Sequence, residues 1–263
     1  MPEVSSPYAH GTPCWIDLMV PDQRAALDFY RDLFGWQGEP GGEETGGYAV
    51  CTLKGKAVAG VMTAMAPEGQ PAPPTVWTTY LAADDTDAVH RKVTGNGGTS
   101  MMDPMDVLEL GRMSVVADPT GAVFGLWQAG EFSGAEIVNE PGSLIWSELN
   151  TSDPEAARRF YPAALDVTVS PMENAPHYFA LHAGGRMVGG MQGLDRLPPG
   201  TPSHWLTYFS VEDTDRTAEK VGSAGGSVLR EPFDMEAGRM AVLADPQGAV
   251  FAVIDATGPE PGQ

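Results

Sequence analysis

ADPTGAVFGLWQ, residues 117–128, and ADPQGAVFAVID, residues 244–255, are near-copies whose aspartates, Asp118 and Asp245, stand 127 positions apart in a chain of 263. The match runs far beyond them. GTPCWIDLMVPDQRAALDFYRDLFGW (11–36) aligns with GSLIWSELNTSDPEAARRFYPAALDV (142–167), and GGYAVCTLKGKAVAGVM (46–62) with PHYFALHAGGRMVGGMQ (176–192). WTTYLAADDTDAVHRKVTGNGG (77–98) aligns with WLTYFSVEDTDRTAEKVGSAGG (205–226), and GRMSVVADPTGAVF (111–124) with GRMAVLADPQGAVF (238–251). A duplication that keeps register over this length fixes two domains of one kind. An apolar content of 42% is enough to give each its core. The expected bounds are 8–130 and 140–256, joined by the polar stretch QAGEFSGAEIVNEP (128–141).

Each half divides again. WIDLMV reads as a strand, and Asp22 caps a helix whose Ala26, Phe29, Tyr30 and Leu33 make one apolar face at helical spacing. Strands near 47–53 and 56–62 follow. After the Pro-rich MAPEGQPAPPT come a strand at 76–82, a helix from Asp84 to Val93, and strands near 99–105, 112–117 and 121–127. Gly97 and Gly98 suit the helix exit. The second half repeats the scheme, so the expected architecture is α+β, with four β-α-β-β-β modules paired into two curved mixed sheets. Helices cover one face of each sheet and leave the other as a concave cavity.

Charge narrows the partners. With 35 acidic against 15 basic residues, the chain carries a formal −20 and repels phosphate backbones and anionic lipid, so neither nucleic acid nor membrane is expected. No apolar run is long enough for a membrane span, and the N-terminal residues lack a secretory pattern. Cys14 and Cys51 both lie in the first half, which argues against a disulfide framework and for a cytoplasmic setting. Gly-rich phosphate loops, CxxC pairs and GxSxG elbows are absent from the sequence.

The strand–Asp–helix–FY run VPDQRAALDFYRDLFGW, its copy TSDPEAARRFYPAAL, and the two DPxGAxF endings resemble the vicinal oxygen chelate superfamily, which includes glyoxalase I, bleomycin-resistance proteins and extradiol dioxygenases. The resemblance spans about residues 10–128 and 141–256. In its tandem layout the chain looks like the two-domain glyoxalase-like proteins of actinobacteria, often labelled hydroxylases. The resemblance implies a site in each domain where His, Gln or Glu side chains on the modules' first and last strands hold a metal that acts as a Lewis acid. At the first-strand positions stand Trp15 and Trp146, and at the last-strand positions Gly125 and Ala252. Residues 45–67 hold no Asp, Glu or His, and 177–194 hold only His177 and His182. No metal and no other cofactor is therefore expected by the family's route; the remaining route would use Asp17, Glu148, His182 and His204.

Four tryptophans, Trp15, Trp77, Trp146 and Trp205, open the first strand of each module. Asp17 and Glu148 lie two residues beyond Trp15 and Trp146, hence on the same strand face. One reading is an aromatic-walled pocket with an acid, lined by Trp15, Asp17, Trp77, Trp146, Glu148 and Trp205; the other is core tryptophan with bonded acids. Asp17, Glu148 and His204 are the candidate catalytic groups, histidine because it titrates near neutrality. His90 is expected on a helix surface, and Arg112 and Arg239 are expected to pin nearby acidic turns. The expected function is binding of a small aromatic or oxygenated metabolite or antibiotic by a monomer or homodimer. The alternative is an enzyme, a lyase, hydroxylase or dioxygenase-like protein, working by acid–base chemistry or with a non-standard metal site.

Overall fold

The computed structural model describes residues 3–4, 7–65, 72–173 and 175–256. The first half forms β1 (Pro13–Val20), α1 (Gln23–Phe34), β2 (Ala49–Leu53), β3 (Lys56–Thr63), β4 (Trp77–Ala82), α2 (Thr86–Gly95), β5 (Thr99–Val107), β6 (Gly111–Ala117) and β7 (Val123–Ala129). The second forms β8 (Leu144–Thr151), α3 (Pro154–Leu165), β9 (Thr168–Met172), β10 (Ala175–Ala183), β11 (Arg186–Gly193), β12 (His204–Ser210), α4 (Thr214–Ser223), β13 (Ser227–Met235), β14 (Gly238–Ala244) and β15 (Val250–Asp255). All four helices start the same way. Asp22, Asp85, Asp153 and Asp213 each accept a backbone N–H three residues on, supplying a partner the first helical turn lacks.

The strands make two mixed sheets, ordered β2-β3-β1-β4-β7-β6-β5 and β13-β14-β15-β12-β8-β11-β10-β9. In each, the first strands of the two modules, β1 with β4 and β8 with β12, pair antiparallel at the centre. One module is reduced. Where β9 completes the second domain, the first has the Gly-rich stretch before β2, preceded by an isolated bridge between Gln37 and Thr52. The joint between domains is not a free loop: Ala135 N donates to Cys14 O and Glu136 N to Ala57 O, both at 2.8 Å, filling the gap where β1 and β3 splay.

The helix-bearing faces of the two sheets pack against each other, and the cores cross the domain boundary. Ile16, Leu18, Phe29 and Tyr30 of the first domain share a core with Phe209, Val221, Phe251 and Val253 of the second. Leu81, Val93, Phe124 and Leu126 share the other with Phe160, Tyr161, Leu165 and Met191. This arrangement explains the repeated DPxG. Asp118 Oδ1 accepts the N–H of Thr120 and Ala122 and shapes its own turn, while its Oδ2 accepts the Tyr161 hydroxyl from the other domain at 3.0 Å. Asp245 does the same with Gln247, Ala249 and Tyr30, again at 3.0 Å to the hydroxyl. The motif is half turn and half clasp.

Arg112 pairs with Asp87 and Asp106, and Arg239 with Asp215 and Asp234, pinning a helix start to a hairpin in each domain as expected. His90 departs from expectation. It is buried against β5, its Nε2 3.8 Å from Asp103 Oδ1, because α2 turns that face toward the sheet edge. No helix among the described residues is long and apolar enough to cross a membrane.

Candidate functional site

Strand alternation puts Trp15 and Asp17 on the concave face of the first sheet, opposite Tyr80 and Thr78 of β4. Asp17 is only 5% exposed. Its Oδ2 accepts the Tyr80 hydroxyl at 2.9 Å and the Tyr48 hydroxyl at 3.4 Å, and the Trp15 indole N–H donates to Tyr48 at 2.8 Å. Burial pushes the Asp17 carboxyl up to about 7, against the pull of hydrogen bonds from Tyr80, Tyr48 and Thr78. A buried carboxylate without a cation pays heavily in desolvation, so proton uptake near neutrality relieves it.

The second domain builds the same wall around a glutamate. Glu148, 4% exposed, accepts from Gln192 Nε2 at 2.9 Å and Asn150 Nδ2 at 3.2 Å, and the Tyr178 and Tyr208 phenols stand close enough to favour its charged form. The Trp146 indole N–H donates to the Tyr178 hydroxyl at 2.9 Å. Burial raises the Glu148 carboxyl, opposed by these four side chains. Each phenol facing an acid is in turn held well above its ordinary range by burial and by that acid.

Glycine makes room for the phenols. A Cβ on Gly60 would sit 1.8 Å from the Tyr48 hydroxyl, and one on Gly190 1.9 Å from that of Tyr178. The same holds at the last strand, where a Cβ on Gly125 would lie 2.0 Å from Tyr80 Cδ1. In the first domain the Tyr80 ring covers Gly125, the position where the family resemblance implied a carboxylate.

Of the expected site residues, Trp15 with Asp17 and Trp146 with Glu148 do come together in pairs. Trp77 and Trp205 do not join them. They lie one residue out of phase with Thr78 and Leu206 and face the shared cores, where their indoles donate to Tyr30 and Tyr161 at 3.2 and 3.1 Å. His204 neighbours Asn150 across the β8–β12 pairing, with Nδ1 against Pro202 O at 2.8 Å rather than against Glu148. His182 lines a separate cleft of about 330 Å³ with Met172, Met187 and Glu236. Tyr48, Tyr80, Tyr178, Tyr208, Asn150 and Gln192 were not foreseen as site residues. The four tyrosines had a signal, since each pair recurs at equivalent positions of both halves.

The donors do not suit a metal centre of the family's kind. Trp15, Trp146, Gly125 and Ala252 stand at the expected positions, and among the described residues no three of His, Cys, Asp and Glu group closely enough to hold an ion.

Two curved sheets of paired modules, each with a concave face of tryptophan, tyrosine and a buried acid, define a tandem paired-module protein. The chain belongs to the Glyoxalase/Bleomycin resistance protein/Dioxygenase superfamily, whose family model matches residues 13–126 and again 137–253. Over 258 residues it is 49% identical to CFP32 of Mycobacterium tuberculosis (strain CDC 1551 / Oshkosh), a protein with a provisional glyoxylase name, covering 95% of this chain and 96% of that one. It is 42% identical to the anthracycline biosynthesis protein DnrV of Streptomyces peucetius, covering 94% of each. Among solved structures, the Mn(II)-bound glyoxalase from Novosphingobium aromaticivorans matches with a TM-score of 0.63 at 16% identity, covering 95% of this chain and 86% of that one. The 2,3-dioxygenase LapB from Pseudomonas sp. KL28 matches at 0.64 and 14% identity, covering 97% and 95%. At that identity these structures speak for the fold alone.

Proposed function

We propose that the chain binds a small aromatic or oxygenated molecule on the concave face of its second domain, without the metal centre of its metal-using relatives. The observation that carries this reading is the cluster in which Gln192 and Asn150 hydrogen-bond Glu148 beneath the Tyr178 and Tyr208 phenols, lying beside a half-buried Trp146. A tryptophan face takes a flat ring, while the amide and phenol groups orient its oxygens. The anthracycline biosynthesis names of DnrV and of DauV from Streptomyces sp. (strain C5) support a planar aromatic ligand. A thermal-shift panel of flat aromatics and antibiotics tests the reading. A ligand is expected to raise the melting temperature, chelator treatment to leave the shift intact, and Trp146→Ala to abolish it. A panel without any response would sink it.

A second reading rests on the buried Glu148 carboxyl, which burial shifts upward from its ordinary range: a carboxyl inside a site can exchange a proton with a bound substrate. Here Glu148→Gln should keep ligand binding and lose turnover. Equal turnover in the two proteins would leave binding alone.

A further inference from the structure

The two concave faces have walls of the same kind but are finished differently. In the first domain the joint returns across the sheet and is pinned along its length. Gly130 N and Phe132 N donate to Leu110 O at 2.9 and 3.1 Å, and the Tyr8 hydroxyl donates to Ala135 O at 2.7 Å. Between these anchors the Phe132 ring stands edge-on to Trp15, centroids 4.9 Å apart and planes at 90°, and meets Trp127 at 6.1 Å and 72°. The Trp127 indole N–H donates to Phe132 O at 2.9 Å. Trp15 and Trp127, the two rings it meets, are both buried. In the second domain Trp146, the counterpart of Trp15, is half-buried. Among the described residues no ring stands edge-on to Trp146, although Phe233 of β13 packs against the same apolar cluster.

We propose that the first concave face is a ring-binding site occupied by the chain's own Phe132, and that the matching face of the second domain takes its ring from a free ligand. The chemistry defines that ligand as a planar aromatic with an uncharged phenolic or keto oxygen. The ring packs edge-on to Trp146 as Phe132 does to Trp15, and the oxygen meets the amide of Gln192 and the hydroxyl of Tyr178. The second-domain half rests on the function proposed above. The first-domain half stands on Phe132 alone.

Fluorine NMR titration with para-fluorophenol separates the two. The wild-type chain should bind one probe, Trp146→Ala none, Phe132→Ala two, and the double variant Phe132→Ala/Trp146→Ala one, each with a native circular dichroism spectrum. A folded double variant that binds nothing overturns the self-occupied site, whatever the wild type does. A wild type that binds nothing beside a double variant that binds one overturns only the second-domain reading. Phe132→Leu guards against misfolding, since it keeps an apolar filler but removes the ring. Its lowered melting temperature should be restored by millimolar phenol more than the wild type's is raised, and equal shifts would count against the proposal.

Discussion

Asp17 and Glu148 are uncommon residues to find beneath a sheet's aromatic wall, and their protons govern how the fold responds to pH. Below about pH 4 an aspartate is protonated folded or unfolded. Between about 4 and the raised value of about 7, folded Asp17 holds a proton that the unfolded chain releases, so its contribution to stability declines as pH rises and is lost above that range. At 1.36 kcal/mol per pH unit this amounts to about 4 kcal/mol at most. Denaturant unfolding at pH 5 and pH 8 should show wild type losing stability relative to Asp17→Asn by a few kcal/mol; parallel curves would contradict it. The Tyr30 hydroxyl, which accepts from Trp77 and donates to Asp245, gives a second case. Tyr30→Phe takes this partner from the buried Trp77 indole N–H and from Asp245 Oδ2, for a cost of about 1–3 kcal/mol read from the same unfolding curves. The acids were legible from their spacing to Trp15 and Trp146. The phenols that hold them were not, because they come from other strands, and only the sheet pairing shows which of them face inward.

At the scale of the element, most of what the sequence conveyed was periodicity, and most of what it withheld was phase. The helices, with their aspartate caps and apolar faces, were plain, since a cap and a 3.6-residue stripe are both local. Strand existence was plain as well. Which face each strand turned inward was not: a shift of one residue sends every side chain to the other side, and that moved Trp77 and Trp205 from the expected pocket into the cores. The missing counterpart of β9 follows from Gly-rich EPGGEETGG, which offers no alternating pattern to pair. Between strands, the glycines of β3 and β11 set how closely the phenols can approach. Gly190→Ala should displace the Tyr178 ring, costing about 1–3 kcal/mol as an overpacked core does. It should also uncouple Trp146 from Tyr178, visible as a change in tryptophan fluorescence; an unchanged spectrum and stability would show that the ring sits elsewhere.

Across the whole molecule, two cores each draw on both domains, so neither half can bury its apolar surface alone. Urea unfolding followed by tryptophan fluorescence and by circular dichroism should therefore show one coincident transition. Two separated transitions would mean that the halves are independent. Asp245→Ala should shift that single transition as a unit, although the residue belongs to the last turn of the second domain. The duplication was legible from end to end, and it announced two domains. What it left unsaid was that the repeated motif reaches across to its twin.

A gene that doubles within itself ordinarily leaves its copies free to drift apart. Here the mutual grip of Tyr30 on Asp245 and Tyr161 on Asp118 ties the inner faces into joint inheritance, since a change in one must suit the other. Among the described residues the outer faces carry no such bond. One copy can take a piece of its own chain as a permanent guest while the other keeps its door open, and the frame that holds both stays the same.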